Sequence, residues 1–254
     1  MAVWDDVIPA DERRIYDIGG WGRRMGYGSR PAVVVVDVNY DFVGDRPEPI
    51  LTSIERWRYS CGEAGWRGVH AIAELIAAAR RRRVPIFYTT VEHRADGFDY
   101  GRDRDKNFRT GEATSVTGSR GPEMPVEIAP RPEDIVISKK KASGFFGTPL
   151  ASYLIDLGVD TLLVTGTSTS GCVRATVVDG NAYNFRVCVV EEGTFDRSVV
   201  AHKVNLFDMH MKYADVVSLG ETKRYLAALP RTGTTPARAS PRASGRTTRR
   251  TAAR

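Results

Sequence analysis

Five consecutive apolar residues, Ala32 to Val36, lead directly into Asp37. An unbroken run of this kind, rich in β-branched valine, is typical of a strand buried on both faces, and such strands belong to parallel sheets covered by helices on each side. Ligands of open α/β sheets bind outside the carboxyl ends of the strands, so Asp37 stands where a functional group is expected. A helix cap or turn residue is the structural alternative for Asp37.

Further segments with the composition of strands alternate with segments that have helical periodicity or helix-capping residues. The predicted strands after the first are 84–88, 134–138, 160–165, 186–190 and 215–218. The predicted helices are 69–83, 148–158, 172–183, 198–212 and 221–229. In the second of these helices, Thr148 is the expected N-cap and Pro149 the first helical residue. The alternation predicts a three-layer α/β/α fold around a mostly parallel six-stranded sheet of the Rossmann-like kind.

The stretch GTSTSGCVR, Gly166 to Arg174, follows the fourth predicted strand and delivers Cys172 to a helix start. A helix N-terminus presents unpaired N–H groups and a partial positive charge, which favour the nucleophilic thiolate over the thiol. The same amides can hold an oxyanion that forms beside the sulfur. A turn of small residues that buries an unreactive cysteine is the alternative, because free cysteine is among the most buried residue types.

Three consecutive lysines, Lys139 to Lys141, end the third predicted strand. Strand alternation places Lys139 and Lys141 on one side and Lys140 on the other, so periodicity alone does not select one of them. A solvated basic strand end is the ordinary alternative for such a run. Because the carboxyl ends of parallel strands share one edge of a sheet, we expect Asp37, a lysine and Cys172 to converge there.

Two polar stretches are predicted to be loops. Residues 41–66 form a long irregular segment, whose two tryptophans favour an ordered flap over a disordered loop, with packing on a neighbouring subunit as the alternative. Residues 92–127 contain His93, which has no second histidine at metal-ligand spacing. We therefore predict no metal site.

The net charge of +6 at pH 7 belongs to the end of the chain. Residues 231–254 carry seven arginines and no acidic residue, so the remainder has a net charge of −1. A segment of Arg, Ala, Ser, Thr, Pro and Gly cannot build a core, and we predict that 230–254 is a disordered tail. A solvated extension is favoured over an arm that binds nucleic acid. The expected organisation is an N-terminal arm, 1–30, one α/β domain, 31–229, and this tail.

Cysteine spacing and hydropathy bear on the cellular compartment. Cys61, Cys172 and Cys188 are far apart and odd in number, which argues against a disulfide framework or a CxxC metal site and favours a reducing compartment. No apolar run approaches the roughly 18 residues of a membrane helix, and the first residues lack the apolar core of a secretory signal. We expect a cytoplasmic protein without a membrane partner.

Four segments resemble, in order and spacing, the isochorismatase-like cysteine hydrolases, and most closely the branch of N-carbamoylsarcosine and maleamate amidohydrolases. They are GYGSRPAVVVVD at 26–37, ISKKKASGFFGT at 137–148, TLLVTGTSTSGCVRATVVD at 161–179 and NLFDMHMKYADV at 205–216. The resemblance spans about residues 21 to 229. It implies the isochorismatase-like fold, a homo-oligomer (dimer or tetramer) and hydrolysis without a cofactor.

The resemblance also assigns site residues. The family's catalytic aspartate, lysine and cysteine match Asp37, Lys139 and Cys172, so it is the resemblance that selects Lys139 among the lysines. A non-proline cis peptide of the family matches Thr167–Ser168, and we expect it to aim the amide of Ser168, together with that of Cys172, at an oxyanion.

Arg197 matches the position that holds the substrate carboxylate in the carbamoylsarcosine branch. The planar guanidinium fork suits this role, because it can bind a carboxylate through two parallel hydrogen bonds. An ion pair with Asp196 or a neighbouring acid is the alternative.

Together these assignments predict a cysteine-dependent amidohydrolase that acts on a small linear amide or N-carbamoyl compound bearing a carboxylate. Asp37 is the expected general base, Lys139 stabilises the thiolate, and ammonia leaves as a thioester forms. Two alternatives share the fold: an isochorismatase-type vinyl-ether hydrolase, which needs no nucleophilic thiol, and a flavodoxin-like module whose 166–171 turn binds a phosphate. The segment 41–66 is where the chain departs from the family pattern, which leaves the substrate side chain open.

Overall fold

Six parallel strands form the centre of the molecule in the computed structural model, which describes residues 2–107 and 114–230. The spatial order of the strands is β3-β2-β1-β4-β5-β6. Their bounds are β1 Pro31–Val36, β2 Ile86–Val91, β3 Ile135–Lys139, β4 Thr161–Gly166, β5 Arg186–Thr194 and β6 Asp215–Val217. The prediction of a six-stranded, mostly parallel sheet is confirmed, and every pairing in this sheet is parallel.

Helices cover both faces of the sheet. They are α1 Ala10–Gly19, α2 Tyr40–Val43, α3 Ile50–Arg56, α4 Gly62–Arg81, α5 Asp103–Asn107, α6 Leu150–Asp156, α7 Arg174–Ala182, α8 Val199–Lys212 and α9 Leu219–Ala228. Side chains from α6, α7 and α8 build the core on one face, and side chains from α4 and α9 build the core on the other. The fold is therefore the predicted three-layer α/β/α arrangement.

The valine run of β1 supplies both cores. Val34 and Val36 point into the α6–α8 side, and Val33 and Val35 into the α4–α9 side, all with no exposed surface. A strand alternates its side chains between the two faces of a sheet, so a strand buried on both faces has to be apolar throughout. Residues before β1 join the same packing, since Trp4 is buried in the α6–α8 core.

The prediction that 41–66 is a long irregular segment was wrong. The segment contains α3, the end of α2 and the first residues of α4, and Trp66 is buried in the core below α4. The Asn39 side chain accepts a hydrogen bond from the N–H of Phe42 and so caps α2. Helices this short are stabilised by packing rather than by their own periodicity, so an amphipathic pattern does not reveal them.

Two predicted helix starts differ from the structure. The first residue of α6 is Leu150, with Pro149 at the N-cap, although the Thr148 hydroxyl still accepts a hydrogen bond from the N–H of Leu150 at 3.3 Å. Cys172 does not begin an α-helix, because a single π-helical turn, Thr169–Val173, precedes α7.

The predicted disordered tail, 230–254, lies outside the described residues except for Pro230. Within the part of the chain that the structure describes, no helix combines the length and the apolarity that crossing a bilayer requires.

Candidate active site

Asp37, Lys139 and Cys172 meet at the carboxyl edge of the sheet. Asp37 directly follows β1, Lys139 is the last residue of β3, and Cys172 lies in the turn after β4. The Lys139 Nζ lies 2.8 Å from Asp37 Oδ2, and neither side chain has exposed surface. The same Nζ lies 3.6 Å from the Cys172 Sγ. One ammonium group thus contacts both a carboxylate and a thiol at this edge.

The intervening strand β2 orients the Asp37 carboxylate. The Thr89 hydroxyl donates to Asp37 Oδ1 at 2.8 Å, and the Asp37 N–H donates to the Thr89 carbonyl at 3.1 Å. Asp37 adopts a left-handed conformation with φ of 53°, which turns the chain sharply where the strand ends. Sequence analysis did not find Thr89, because a threonine inside an apolar strand is common and gives no local signal.

Lys139 is held as a buried ammonium group. Besides Asp37 and Cys172, its Nζ donates to the Lys141 carbonyl at 2.8 Å. Burial by itself lowers the pKa of Lys139, but the Asp37 carboxylate and Cys172 reverse this and raise that pKa above its ordinary value. A buried charge of this kind is tolerated only when it is paired and hydrogen-bonded.

The half-buried Cys172 rests as a thiol. Burial raises the pKa of Cys172 to about 12, the Asp37 carboxylate adds to the rise, and Lys139 opposes it. This is the reverse of the direction expected for a cysteine at a helix start. Asp37 and Cys172 both contact the Lys139 ammonium group, which brings the carboxylate beside the thiol whose proton it would take.

The turn between β4 and Cys172 presents backbone amides beside the sulfur. The peptide bond between Thr167 and Ser168 is cis. The Ser168 carbonyl accepts hydrogen bonds from the N–H groups of Gly171 and Val173, at 2.9 and 3.2 Å. No acceptor among the described residues takes the N–H of Ser168, and none outside the π-helical turn takes that of Cys172. Ser168 and Cys172 both line the cleft.

Gly166 is required where the turn begins. Its φ is 110°, and an added Cβ would lie 2.1 Å from the Val36 carbonyl oxygen of the neighbouring strand. Only glycine combines this conformation with so close a backbone approach.

The two lysines after Lys139 are partly exposed, and both form ion pairs. The Lys140 Nζ lies 3.0 Å from Asp99, and the Lys141 Nζ lies 2.9 Å from Asp103 and 3.1 Å from the Tyr100 carbonyl. The lysine run therefore ties the segment Phe98–Asp103 to the carboxyl end of β3. Tyr100 and Asp103 line the cleft above Cys172.

Arg197 lies in the wall of this cleft, which has a volume of about 930 Å³. Its guanidinium carbon is 5.7 Å from the Phe42 ring centroid and 5.9 Å from that of Tyr59. Among residues 2–107 and 114–230, no carboxylate lies within 4.0 Å of this guanidinium. The expected alternative, an ion pair with Asp196, is absent from this part of the chain, because the Asp196 carboxylate binds backbone and serine donors instead.

Sequence analysis missed the aromatic residues that support Arg197. Phe42 and Tyr59 stack with their ring centroids 5.4 Å apart, and both come from the segment that was predicted to be irregular. Arg58, over the Tyr59 ring at 4.6 Å, lines the same cleft. The sequence does not reveal a contact between an arginine and aromatic residues from a segment whose structure is not predicted.

His93 also lines the cleft, packed against Tyr100 with the ring centroids 4.0 Å apart. Burial lowers the pKa of His93, against the opposing effect of Asp99, whose Oδ1 lies 3.4 Å from Nδ1. The described residues hold no cluster of three or more His, Cys, Asp or Glu side chains suited to a metal ion.

The other two cysteines lie inside the cores. Burial raises the pKa of Cys61 to about 11 and that of Cys188 to about 12. The Cys61 Sγ contacts the Thr167 hydroxyl at 3.5 Å, whereas Cys188 lies within β5 on the α4 side of the sheet. Neither cysteine lines the cleft.

Comparisons with known proteins agree with this fold. The isochorismatase domain family matches residues 31–221. The N-carbamoylsarcosine amidase of Arthrobacter sp. is 33% identical over 233 residues, covering 85% of this chain and 78% of that protein. The maleamate amidohydrolase of Pseudomonas putida is 34% identical over 215 residues, covering 83% of this chain and 93% of that protein. The solved structure of an isochorismatase family protein from Desulfovibrio vulgaris is 31% identical, with a TM-score of 0.69, and covers 79% of this chain and 100% of that one.

Proposed function

Because the chain belongs to the isochorismatase-like hydrolase family, which includes amidohydrolases, we propose that it is a cysteine-dependent amidohydrolase. The substrate class is a small linear amide or N-carbamoyl compound that bears a carboxylate, and the leaving group is ammonia. The observation that carries the proposal is the contact of Lys139 Nζ with both Asp37 Oδ2, at 2.8 Å, and Cys172 Sγ, at 3.6 Å.

The acylation step begins from a neutral thiol. Asp37 takes the Cys172 proton as the sulfur attacks the amide carbonyl carbon, and the buried Lys139 ammonium stabilises the negative charge on sulfur during the transfer. The carbonyl oxygen becomes an oxyanion that accepts hydrogen bonds from the N–H groups of Ser168 and Cys172. The tetrahedral intermediate then collapses, and ammonia leaves with the proton returned from Asp37. The product of this half-reaction is a thioester on Cys172, or the corresponding S-thiocarbamate when the substrate is an N-carbamoyl compound.

Hydrolysis of the thioester uses the same groups. Asp37 takes a proton from water as the water oxygen attacks the thioester carbonyl, and the same two amides hold the second oxyanion. When the carbon–sulfur bond breaks, the Cys172 sulfur recovers the proton from Asp37 and the acid product leaves. One carboxylate therefore serves as base and acid in both half-reactions, and no group beyond the chain and water enters the balance.

The surroundings of Arg197 are the reason for placing a carboxylate on the substrate. Its guanidinium lies in the cleft wall beside two aromatic rings, and no described carboxylate is paired with it. A guanidinium that lines a cleft and has no carboxylate partner is suited to bind an anionic ligand through two parallel hydrogen bonds. The N-carbamoyl acids and the amide acids have such a carboxylate a few bonds away from the scissile C–N bond.

The test is ammonia release from N-carbamoyl amino acids, maleamate and nicotinamide, by the wild type and by Cys172→Ala. Cys188→Ala is the matched control, because it makes the same change at a buried cysteine far from the cleft. We expect Cys172→Ala to lose more than about 10³-fold in kcat, in line with the loss of a covalent nucleophile, while Cys188→Ala stays near the wild type.

With maleamate as the substrate, hydroxylamine adds a direct test of the intermediate, since it intercepts a thioester as a hydroxamate. A hydroxamate that forms with the wild type and not with Cys172→Ala supports the mechanism. Near-normal turnover by Cys172→Ala overturns it. Hydrolysis of a vinyl ether without ammonia release, retained in Cys172→Ala, assigns the site to the isochorismatase reaction instead.

A further inference from the structure

One carboxylate joins the turn that carries Cys172 to the segment that carries Arg197. Asp196 Oδ2 accepts hydrogen bonds from the N–H and the hydroxyl of Ser170, at 2.8 and 2.7 Å. Asp196 Oδ1 accepts a hydrogen bond from the N–H of Arg197 at 2.7 Å. Asp196 is 9% exposed, so these three bonds form in a site largely shielded from water.

Two further bonds hold the same turn against neighbouring elements. The N–H of Thr169 donates to the Phe195 carbonyl at 3.0 Å. The Thr169 hydroxyl pairs with Nδ1 of His202, on α8, at 2.7 Å. Thr169 itself has no exposed surface. The turn is therefore fixed from the side that faces away from the cleft.

Asp196 lies between the two ends of the proposed substrate site. Ser168 and Cys172, the proposed oxyanion donors, flank the pair Thr169–Ser170 in sequence, and Arg197 is the residue after Asp196. A substrate that binds Arg197 at one end and the oxyanion donors at the other requires a fixed distance between Arg197 and those donors. Misplacement by about 1 Å in such a site can cost about 10²-fold in rate.

We propose that Asp196 is a positioning residue that sets the separation between the carboxylate-binding Arg197 and the oxyanion-binding turn. This inference rests on the proposed amidohydrolase function. Asp196 touches neither the substrate nor the reacting atoms, and it acts through Ser170 and through the backbone of Arg197. Its effect is therefore largest for substrates that occupy both ends of the site.

A second aspartate offers a matched control. Asp160 Oδ2 accepts hydrogen bonds from the N–H and the hydroxyl of Ser29, at 2.8 and 3.0 Å, and its Oδ1 accepts one from the N–H of Arg30 at 3.0 Å. These three donors are of the same kinds as those at Asp196, and the Thr161 hydroxyl adds a fourth at 2.7 Å. Asp160, however, precedes β4 at the amino end of the sheet, about 20 Å from the carboxyl edge at about 3.3 Å per residue.

The experiment compares Asp196→Asn with Asp160→Asn, using an N-carbamoyl amino acid that the wild type hydrolyses and the methyl ester of that compound. We expect Asp196→Asn to lower kcat about 10- to 100-fold on the acid. We also expect the ratio of kcat/KM for acid over ester to fall at least fivefold. Asp160→Asn keeps both quantities within about twofold of the wild type, although the two variants lose comparable thermal stability.

Two results overturn the proposal while leaving the amidohydrolase function intact. One is a kcat for Asp196→Asn within twofold of the wild type. The other is an equal loss on acid and ester, since a carboxylate that only stabilises the fold affects both substrates alike.

Failure of the proposed function has a different signature, namely no ammonia from the wild type or full turnover by Cys172→Ala. The positioning role is then read from the pH profile of Cys172 alkylation by iodoacetamide. A shift of at least about half a pH unit in Asp196→Asn and not in Asp160→Asn supports it, and coincident profiles overturn it.

Discussion

Replacing Lys139 with methionine tests the central ion pair through stability alone, without any substrate. Methionine keeps most of the aliphatic stem and removes the ammonium group. The Asp37 carboxylate, with no exposed surface, then retains the Thr89 hydroxyl but loses its counter-charge at 2.8 Å. Breaking a buried ion pair by removing one partner costs about 3–5 kcal/mol, because a charge remains buried and uncompensated.

That cost is large against the about 5–15 kcal/mol that stabilises an ordinary protein. For a chain of this size it corresponds to a fall in Tm of about 6–20 °C. The assay is urea unfolding followed by tryptophan fluorescence, with the free energy of unfolding extrapolated linearly to water. Trp4 and Trp66, each 7% exposed, report on the two cores of the sheet.

Two further variants separate the ion pair from other causes. The double variant Asp37→Asn/Lys139→Met removes both charges and is expected to recover most of the lost stability, because an uncharged pair of similar volume needs no compensation. Lys140→Met makes the same change one residue later, where the partly exposed ion pair with Asp99 predicts a loss of about 1 kcal/mol or less. The reasoning is refuted by a Lys139→Met variant within about 1 kcal/mol of the wild type, or by a double variant no more stable than the single one.

Three other perturbations have defined outcomes. Gly166→Ala places a Cβ 2.1 Å from the Val36 carbonyl oxygen at a φ of 110°, so we expect little folded protein, and a thermal melt within 2 °C of the wild type would contradict this. Arg197→Met is expected to raise KM about 10- to 100-fold for carboxylate-bearing amides and to leave Tm unchanged. The magnitude corresponds to about 1.5–3 kcal/mol for hydrogen bonds to a charged group. An unaltered KM would show that Arg197 does not bind the substrate. Acidification is the third, because burial lowers the pKa of three histidines, His93, His202 and His210. As the pH falls through their ordinary pKa of 6.5, the unfolded chain takes up protons that the folded chain does not, so the free energy of unfolding falls. Equal urea midpoints at pH 7.5 and pH 5.5 would contradict this expectation.

The strands were the most predictable part of the fold. A β-branched apolar run such as Ala32 to Val36 is typical of a strand covered on both faces, and the family resemblance added the isochorismatase-like fold. The segment 41–66 was the opposite case. Its short helices depend on contacts such as that of Val43, in α2, with the core, and on a cap by Asn39 just before the segment, so no periodic pattern marks them.

Some features of the candidate site were also predictable from the sequence, and others were not. Its location at the carboxyl edge followed from the sheet, and the resemblance singled out Lys139 where strand alternation could not. The helix start by itself favours a thiolate at Cys172, whereas burial and the Asp37 carboxylate raise the thiol pKa to about 12, so the thiol needs the general base that Asp37 was expected to be. Asp196 drew attention only as a partner for the Arg197 side chain, whereas in the structure it binds the backbone and Ser170.

The sequence by itself determined the parallel sheet, the edge where Asp37 and Cys172 meet, and the family. These follow from patterns between residues that are neighbours along the chain, and such patterns survive in the sequence. The tertiary structure alone decided that Lys139 is fully buried while Lys140 binds Asp99, that Arg197 lies against aromatic rings, and that one carboxylate bridges two loops. Burial and electrostatic interaction depend on atoms brought together from distant positions, so no local pattern encodes them.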